Sequence, residues 1–389
     1  MITPPSTAGV CDRRSRDTPM LQHPGAAIVS TNRSVLPPET SGRFYQASSS
    51  VEIENMKRVF PRVAVLAFSL LLASAAGATA AEGEHEVFTD PAKAGPDFDI
   101  QGEYSGEFLA GDSGEAKFGL QVIALGDGKF RGVAFFGGLP GDGWDGFSRL
   151  AAEGKLQDDG SVVLEASEGK GIVKDGKISI RSNDGQELGV LEKVHRESPT
   201  LGAEAPEGAI VLFDGTGTDA FEGATMTDDG LLNVGCRTKQ KFQDFQLHIE
   251  FRTPFMPTAR EQARGNSGVY MQDRYECQVL DSFGLEGEDN ECGGIYHVKR
   301  PRENLCYPPL SWQTYDIDFT AAKFDDDGNK VSDAVATIKH NGFVIHKNLE
   351  LKTTTPGGAT DQISAEPGAL FLQDHGNPVV YRNVWIVEK

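Results

Sequence analysis

Residues 265–284 read GNSGVYMQDRYECQVLDSFG, and the fold follows from this stretch. Two runs with strand-forming side chains flank Gln272-Asp273, so the pattern predicts two short strands joined by a turn near Asp273. Side chains alternate across a strand with period two. In the second strand Glu276 and Gln278 therefore share one face, and Tyr275, Cys277 and Val279 share the other. Two hydrogen-bonding groups beside aromatic side chains suit a sugar, which offers hydroxyl rims and flat C–H faces. Taken alone, the same face also reads as the solvated side of an edge strand.

The strand-and-turn pattern continues in both directions. Ile210 to Phe213 opens a domain spanning 207–389. From Asp244 to Arg252, Phe245, Leu247, Ile249 and Phe251 face a core, with Gln246, His248, Glu250 and Arg252 opposite. Val335 to Ile345 is a hairpin around Asn341-Gly342, a type I′ turn signal. Gly368 to Gln373 and Val379 to Val387 are the last strands, and Pro254 to Arg264 is a short helix or a loop. Upstream, in 97–196, Asp127-Gly128, Asp159-Gly160, Asp175-Gly176 and Asp184-Gly185 separate extended runs. Candidate strands there are Gln121 to Leu125, Lys129 to Phe136, Ser161 to Glu165 and Lys177 to Arg181. This is a small antiparallel β-meander, closing as a barrel or a sandwich. Its Gly-rich segment from Phe135 to Trp144 is a structural loop or a sugar-stacking surface, and it lacks the GxGxxG spacing of a phosphate cradle. Residues 82–96 and 197–206 read as polar linkers containing proline. The fold class is all-β, with two domains.

A formal net charge of −20 argues against nucleic acid or an anionic membrane surface as partner. Met56-Lys57-Arg58, the apolar Val63 to Leu72 and the small-residue run Ser74 to Ala81 form a secretory signal peptide over 56–81, cleaved near Ala81. Met56 then reads as the true start, and 1–55 as a spurious or disordered extension. No Cys near the cleavage site supports a lipid anchor, so the expected address is periplasmic or secreted. Four Cys follow the signal: Cys236, Cys277, Cys292 and Cys306. Cys292 and Cys306 flank one short loop, where a disulfide would contribute roughly 3 kcal/mol, while Cys277 reads as a buried thiol. No CxxC or paired-His spacing supports zinc. Asp325-Asp326-Asp327-Gly328-Asn329 lacks the closing Glu of a calcium loop, so neither metal nor cofactor is expected.

In order, the chain carries Asn266-Ser267-Gly268-Val269-Tyr270, Tyr275-Glu276-Cys277-Gln278-Val279-Leu280-Asp281, Gly294-Ile295-Tyr296, Trp312-Gln313-Thr314-Tyr315-Asp316, His340-Asn341-Gly342, Leu372-Gln373-Asp374-His375-Gly376 and Tyr381-Arg382-Asn383-Val384-Trp385-Ile386. This series, covering roughly 207–389, resembles the 3-keto-disaccharide hydrolase domain family. The resemblance implies a concanavalin A-like β-sandwich (jelly roll) and action on glycosides whose sugar carries a ketone at C3. In such a substrate the C2 hydrogen is acidified, so a base can start elimination of the C1 substituent and water can then add. Glu276 is the expected base and His375 a second base, acid or ketone-polarising donor. Gln278 and Asp281 are expected to bind substrate, with Arg382 orienting it or forming a buried ion pair. Tyr270, Tyr296 and Trp312 stack on a sugar or fill the core. His297 and His340 are weaker candidates, His340 reading as an exposed turn residue. Glu276, Gln278, His375 and Arg382 are expected to converge in one cleft. The alternative is a non-catalytic, lectin-like carbohydrate-binding module. The expected partner is an oxidised glycoside, with no nucleic acid and no membrane anchor.

Overall fold

The computed structural model describes residues 85–109 and 114–389. The expected signal peptide at 56–81 and the extension before it lie outside the described residues. No helix among the described residues is long and apolar enough to cross a membrane.

The first part of the described chain is a closed antiparallel barrel. Its strands are β1 (Gly102–Leu109), β2 (Glu115–Gly126), β3 (Lys129–Phe136), β4 (Arg149–Leu156), β5 (Val162–Ala166), β6 (Gly169–Lys174), β7 (Lys177–Ser182) and β8 (Glu187–Val194). Each pairs with the next, and β1 also pairs with β8, which closes the ring. The Asp-Gly pairs act as expected of tight turns: Asp127-Gly128 and Asp175-Gly176 have positive φ at both residues, the geometry of type I′. Tyr104, Phe130, Leu164, Ile178 and Leu191 fill the interior.

The second part is a β-sandwich. One sheet has the order β10 (Phe221–Glu222), β12 (Cys236–Thr238), β21 (Phe371–Leu372), β14 (Ser267–Met271), β15 (Tyr275–Val279). The other has the order β11 (Leu232–Asn233), β22 (Val380–Glu388), β13 (Phe245–Arg252), β16 (Gln313–Thr320), β19 (Ala334–His340), β20 (Phe343–Leu351), with β9 (Ile210–Phe213) also on β22. A short ribbon, β17 (Lys323–Phe324) with β18 (Lys330–Ser332), stands apart. Val269, Tyr275, Cys277 and Val279 of the first sheet share one apolar core with Leu247, Ile249, Phe251 and Ile317 of the second. Alternation in β13 and β15 thus sends the expected side chains inward. Asn341 and Gly342 both take positive φ between β19 and β20.

His340 departs from its sequence reading. It is fully buried, with Nε2 2.9 Å from Gln313 Oε1, and burial pushes its imidazole down to about 3. The β19 alternation places it inward, next to Tyr315 and Phe251, and this outweighs its position beside a turn. His248 and Glu250, on the far face of β13, are also buried. Residues 198–203 lie over them: the Gly202 N–H donates to Glu250 Oε1, and Ser198 and Thr200 bond to Thr314 of β16. Burial pushes the Glu250 carboxyl up, but hydrogen bonds from His248, Asn383 and Arg382 outweigh it and hold the group at about 2.

The two parts are fastened together. Ile123, Val133, Phe135 and Leu139 from the barrel belong to the sandwich's apolar core. Arg196, held by a forked pair with Glu103 of β1, reaches across to within 5.1 Å of the Tyr307 ring centroid, Arg131 donates to Gly284 O at 3.0 Å, and Arg149 pairs with Glu286 at 2.7 Å.

The expected Cys292–Cys306 bridge is not formed in this structure. All four described cysteines are buried free thiols, and Cys292 and Cys306 lie close enough to influence each other's ionisation. Because the two sulfurs are already neighbours, oxidation should link them without rebuilding the loop. Non-reducing mass mapping of air-oxidised protein should recover a 292–306 peptide pair; a pair joining Cys236 to Cys277 would refute this.

Candidate active site

The hairpin of β14 and β15 carries the site on its outward face. Gln272 and Asp273 both have positive φ at its turn, and the resulting register sets Tyr270 opposite Glu276 and Gly268 opposite Gln278. The Glu276 carboxylate lies across Gly268, where a Cβ would stand 2.2 Å from Oε1. Glycine at 268 therefore makes room for the carboxylate. The Glu276 N–H donates to Thr355 Oγ1 at 2.8 Å, which fixes the strand against the 354–359 segment.

Glu276 is 2% exposed. The Tyr270 hydroxyl lies 2.8 Å from its Oε2 and 2.6 Å from Pro356 O, and accepts from Gln373 Nε2 at 3.1 Å. That hydroxyl has one proton to offer two acceptors, so it supports the charged carboxylate only partly. Burial dominates, and with only the Tyr270 bond opposing it the carboxyl is raised to about 7. Burial, then the Glu276 charge, raises the Tyr270 phenol and keeps it protonated. Glu276, Gln278, Tyr296 and His375 line one cavity of about 190 Å³ with Gln262, Asn266 and Gln373. It is smaller than the roughly 300–1,000 Å³ pockets of drug-sized ligands and has room for about one sugar ring.

The structure thus brings together Glu276, Gln278, Tyr296 and His375, and adds Tyr270 as a hydrogen-bond partner of the carboxylate rather than a stacking ring. It does not bring Arg382, Trp312 or Asp281 to them. Arg382 sits on β22 in the opposite sheet, where it pairs with Glu250 at 2.7 Å and stacks 4.0 Å from the Trp312 ring centroid. Trp312 also faces Arg252. Asp281 pairs at 2.7 Å with Arg264, not with Arg274 or Arg382, and is buried beside the barrel contact. Arg274 is bound to Gln272, Glu366 and Ser364, so neither arginine neutralises Glu276. His297 is an exposed side chain 3.8 Å from Asp289.

Three amides were not singled out from the sequence. Gln262 Oε1 accepts from Gln278 Nε2 at 3.0 Å, and its own Nε2 donates to Asn290 O at 2.8 Å. Asn266 Nδ2 donates to Gln262 O at 2.8 Å, and Gln373 holds Tyr270. Asn266 and Gln373 lie within the ordered motifs, which was a signal for them; Gln262 lies between motifs and had none. Among the described residues no group of three or more His, Cys, Asp or Glu side chains could hold a metal ion.

An antiparallel sandwich bearing a buried carboxylate, a phenol and amides around a ring-sized cavity defines a carbohydrate-acting domain. Residues 208–387 match the model of the 3-keto-alpha-glucoside-1,2-lyase-like domain, so this part of the chain is a domain of that family. Three similar solved structures come from Parabacteroides distasonis ATCC 8503, each provisionally named a glycosyl hydrolase. One is 36% identical, over 47% of this chain and 85% of that chain, with a TM-score of 0.44. The others are 19% and 17% identical, over 47% and 46% of this chain and 94% and 99% of theirs, with TM-scores of 0.34 and 0.33. No curated protein matches the chain.

Proposed function

We propose that the sandwich domain cleaves glycosides whose sugar carries a ketone at C3, with Glu276 as the base. The observation that carries this is a carboxylate in a ring-sized cavity, raised to about 7 by burial and free of any ion pair among the described residues. Such a group is poised to take a proton near neutrality. The C3 ketone acidifies the C2 hydrogen. Glu276 takes that proton, and the C2–H electron pair moves into an enolate. The enolate collapses to a C1=C2 double bond as the C1–O bond breaks and the aglycone leaves with the electron pair. Water then adds at C1 and a proton returns to C2, so the net change is hydrolysis without oxidation. His375 protonates the leaving oxygen, and Tyr296 and Gln278 hold ring oxygens. Export through the 56–81 signal belongs to the same proposal.

The test is incubation with a 3-keto-disaccharide in deuterated water. Release of monosaccharide carrying deuterium at C2 is expected, with the unoxidised disaccharide left intact. Binding without release would favour the non-catalytic carbohydrate module. Because the base must be ionised, kcat/KM should climb as pH rises through about 7 and level off above it. A profile flat from pH 5 to 8 would remove Glu276 as the base.

A further inference from the structure

We infer that the cleft between barrel and sandwich is a second carbohydrate site, one that takes a neutral oligosaccharide and is separate from the Glu276 cavity. The cleft holds about 530 Å³, within the roughly 300–1,000 Å³ of built ligand pockets, which favour domain interfaces. Its walls are the barrel loop between β3 and β4 and the sandwich segment 285–304. Both are fixed by the shared core and by the Arg149–Glu286 ion pair that joins the two parts, so the cleft exists before any ligand arrives.

The barrel loop is built to present aromatic rings. Leu139 anchors it in the core. Trp144 meets Phe135 edge-on at 5.2 Å and donates from Nε1 to Ser148 O at 3.0 Å. Asp145 Oδ1 accepts from the backbone N–H of both Phe147 and Ser148, at 2.8 and 2.7 Å. This turn holds the Phe147 ring out at the mouth, 88% exposed. A phenyl ring kept in water forgoes the gain of burial, which a ring stacked under a ligand would recover.

The opposite wall offers planar hydrogen-bonding groups with little net charge. Arg149 is balanced by Glu286 and Arg300 by Glu288, at 2.7 and 3.4 Å. Glu303 accepts from the Gly141 N–H at 2.6 Å. Arg302 is in no ion pair among the described residues and is left to donate. An aromatic lip facing a charge-balanced polar wall fits a C–H face with a hydroxyl rim. An anionic ligand would meet Asp145, Glu286 and Glu303. The ketone at C3 plays no part, so this site stands whether or not the proposed cleavage does.

The test is titration of the full chain with maltohexaose and with cellohexaose, read by calorimetry. One of the two should bind, and Phe147→Ala should weaken that binding about tenfold, the scale of one aromatic contact. Arg302→Ala should weaken it further. Both side chains are exposed, so melting temperature should not move. Glu276→Gln should leave the binding unchanged. The inference is overturned if neither sugar binds at about 10 mM, ten times a 1 mM Kd. It is equally overturned if binding survives Phe147→Ala with Arg302→Ala intact in strength, or is lost on Glu276→Gln.

Discussion

Glu276→Gln should lower turnover of a 3-keto-disaccharide by a hundredfold or more, the scale of a general base, while making the protein more stable at alkaline pH. The second half follows from the burial of the carboxylate. Its folded value is raised from 4.5 to about 7, so the native state holds that proton more tightly than the unfolded chain does. Below 4.5 both states are protonated and the group costs nothing. Between 4.5 and about 7 the unfolded state ionises first, and the native state loses relative stability. Above about 7 the full cost stands, about 3 kcal/mol. Glutamine cannot ionise and escapes it, and its amide can still bond to the Tyr270 hydroxyl. Melting curves of the two proteins should coincide near pH 4.5 and separate as pH rises, at roughly 2–4 °C per kcal/mol for domains of 150–250 residues. A gap of equal size at pH 4.5 and pH 8 would mean that burial of the charge is not its source.

Gly268→Ala should also abolish most activity, for a geometric reason. The new Cβ would stand 2.2 Å from Glu276 Oε1 and 2.9 Å from its Cδ. The obstructed atoms are the far end of a flexible side chain, so the carboxylate moves and the strand does not. A displacement of about 1 Å at a reacting group costs on the order of a hundredfold in rate. Circular dichroism and the cooperativity of unfolding should be retained, since residue 268 lies in a strand that accepts alanine. Activity within tenfold of the parent would show that the carboxylate does not work from the position described here.

What the sequence made legible was local. Period-two alternation placed Tyr275, Cys277 and Val279 inward and Glu276 and Gln278 outward, because the side to which a strand residue points depends only on its neighbours. The Asp127-Gly128, Asp175-Gly176 and Asn341-Gly342 turns were legible for the same reason: their conformation is set by two residues. Strand partnership is not local. Nothing near Arg382 says that β22 joins the sheet opposite Glu276, so the expected convergence of Arg382 with the site failed. Asp281 chose Arg264, seventeen residues earlier and not adjacent along any strand. Closure of the barrel rests on β1 meeting β8, and the Gly-rich or charged β4, β6 and β8 show little apolar alternation to announce them. The burial of His248 and Glu250 depends on residues 198–203 lying over them, and those residues read as a linker because they are polar and contain proline.

That strip makes homology and thermodynamics disagree about where the sandwich begins. Recognisable kinship starts at 208, yet Ser198, Thr200 and Gly202 bond to the second sheet and shield Glu250 from water. A polypeptide cut at the kinship boundary would hydrate a row of charges that the strip keeps covered, and would also bare the patch that receives Ile123 and Phe135. The upstream barrel is therefore no detachable accessory. Its exit segment is a working part of its neighbour's insulation, so the pair should melt in one cooperative transition.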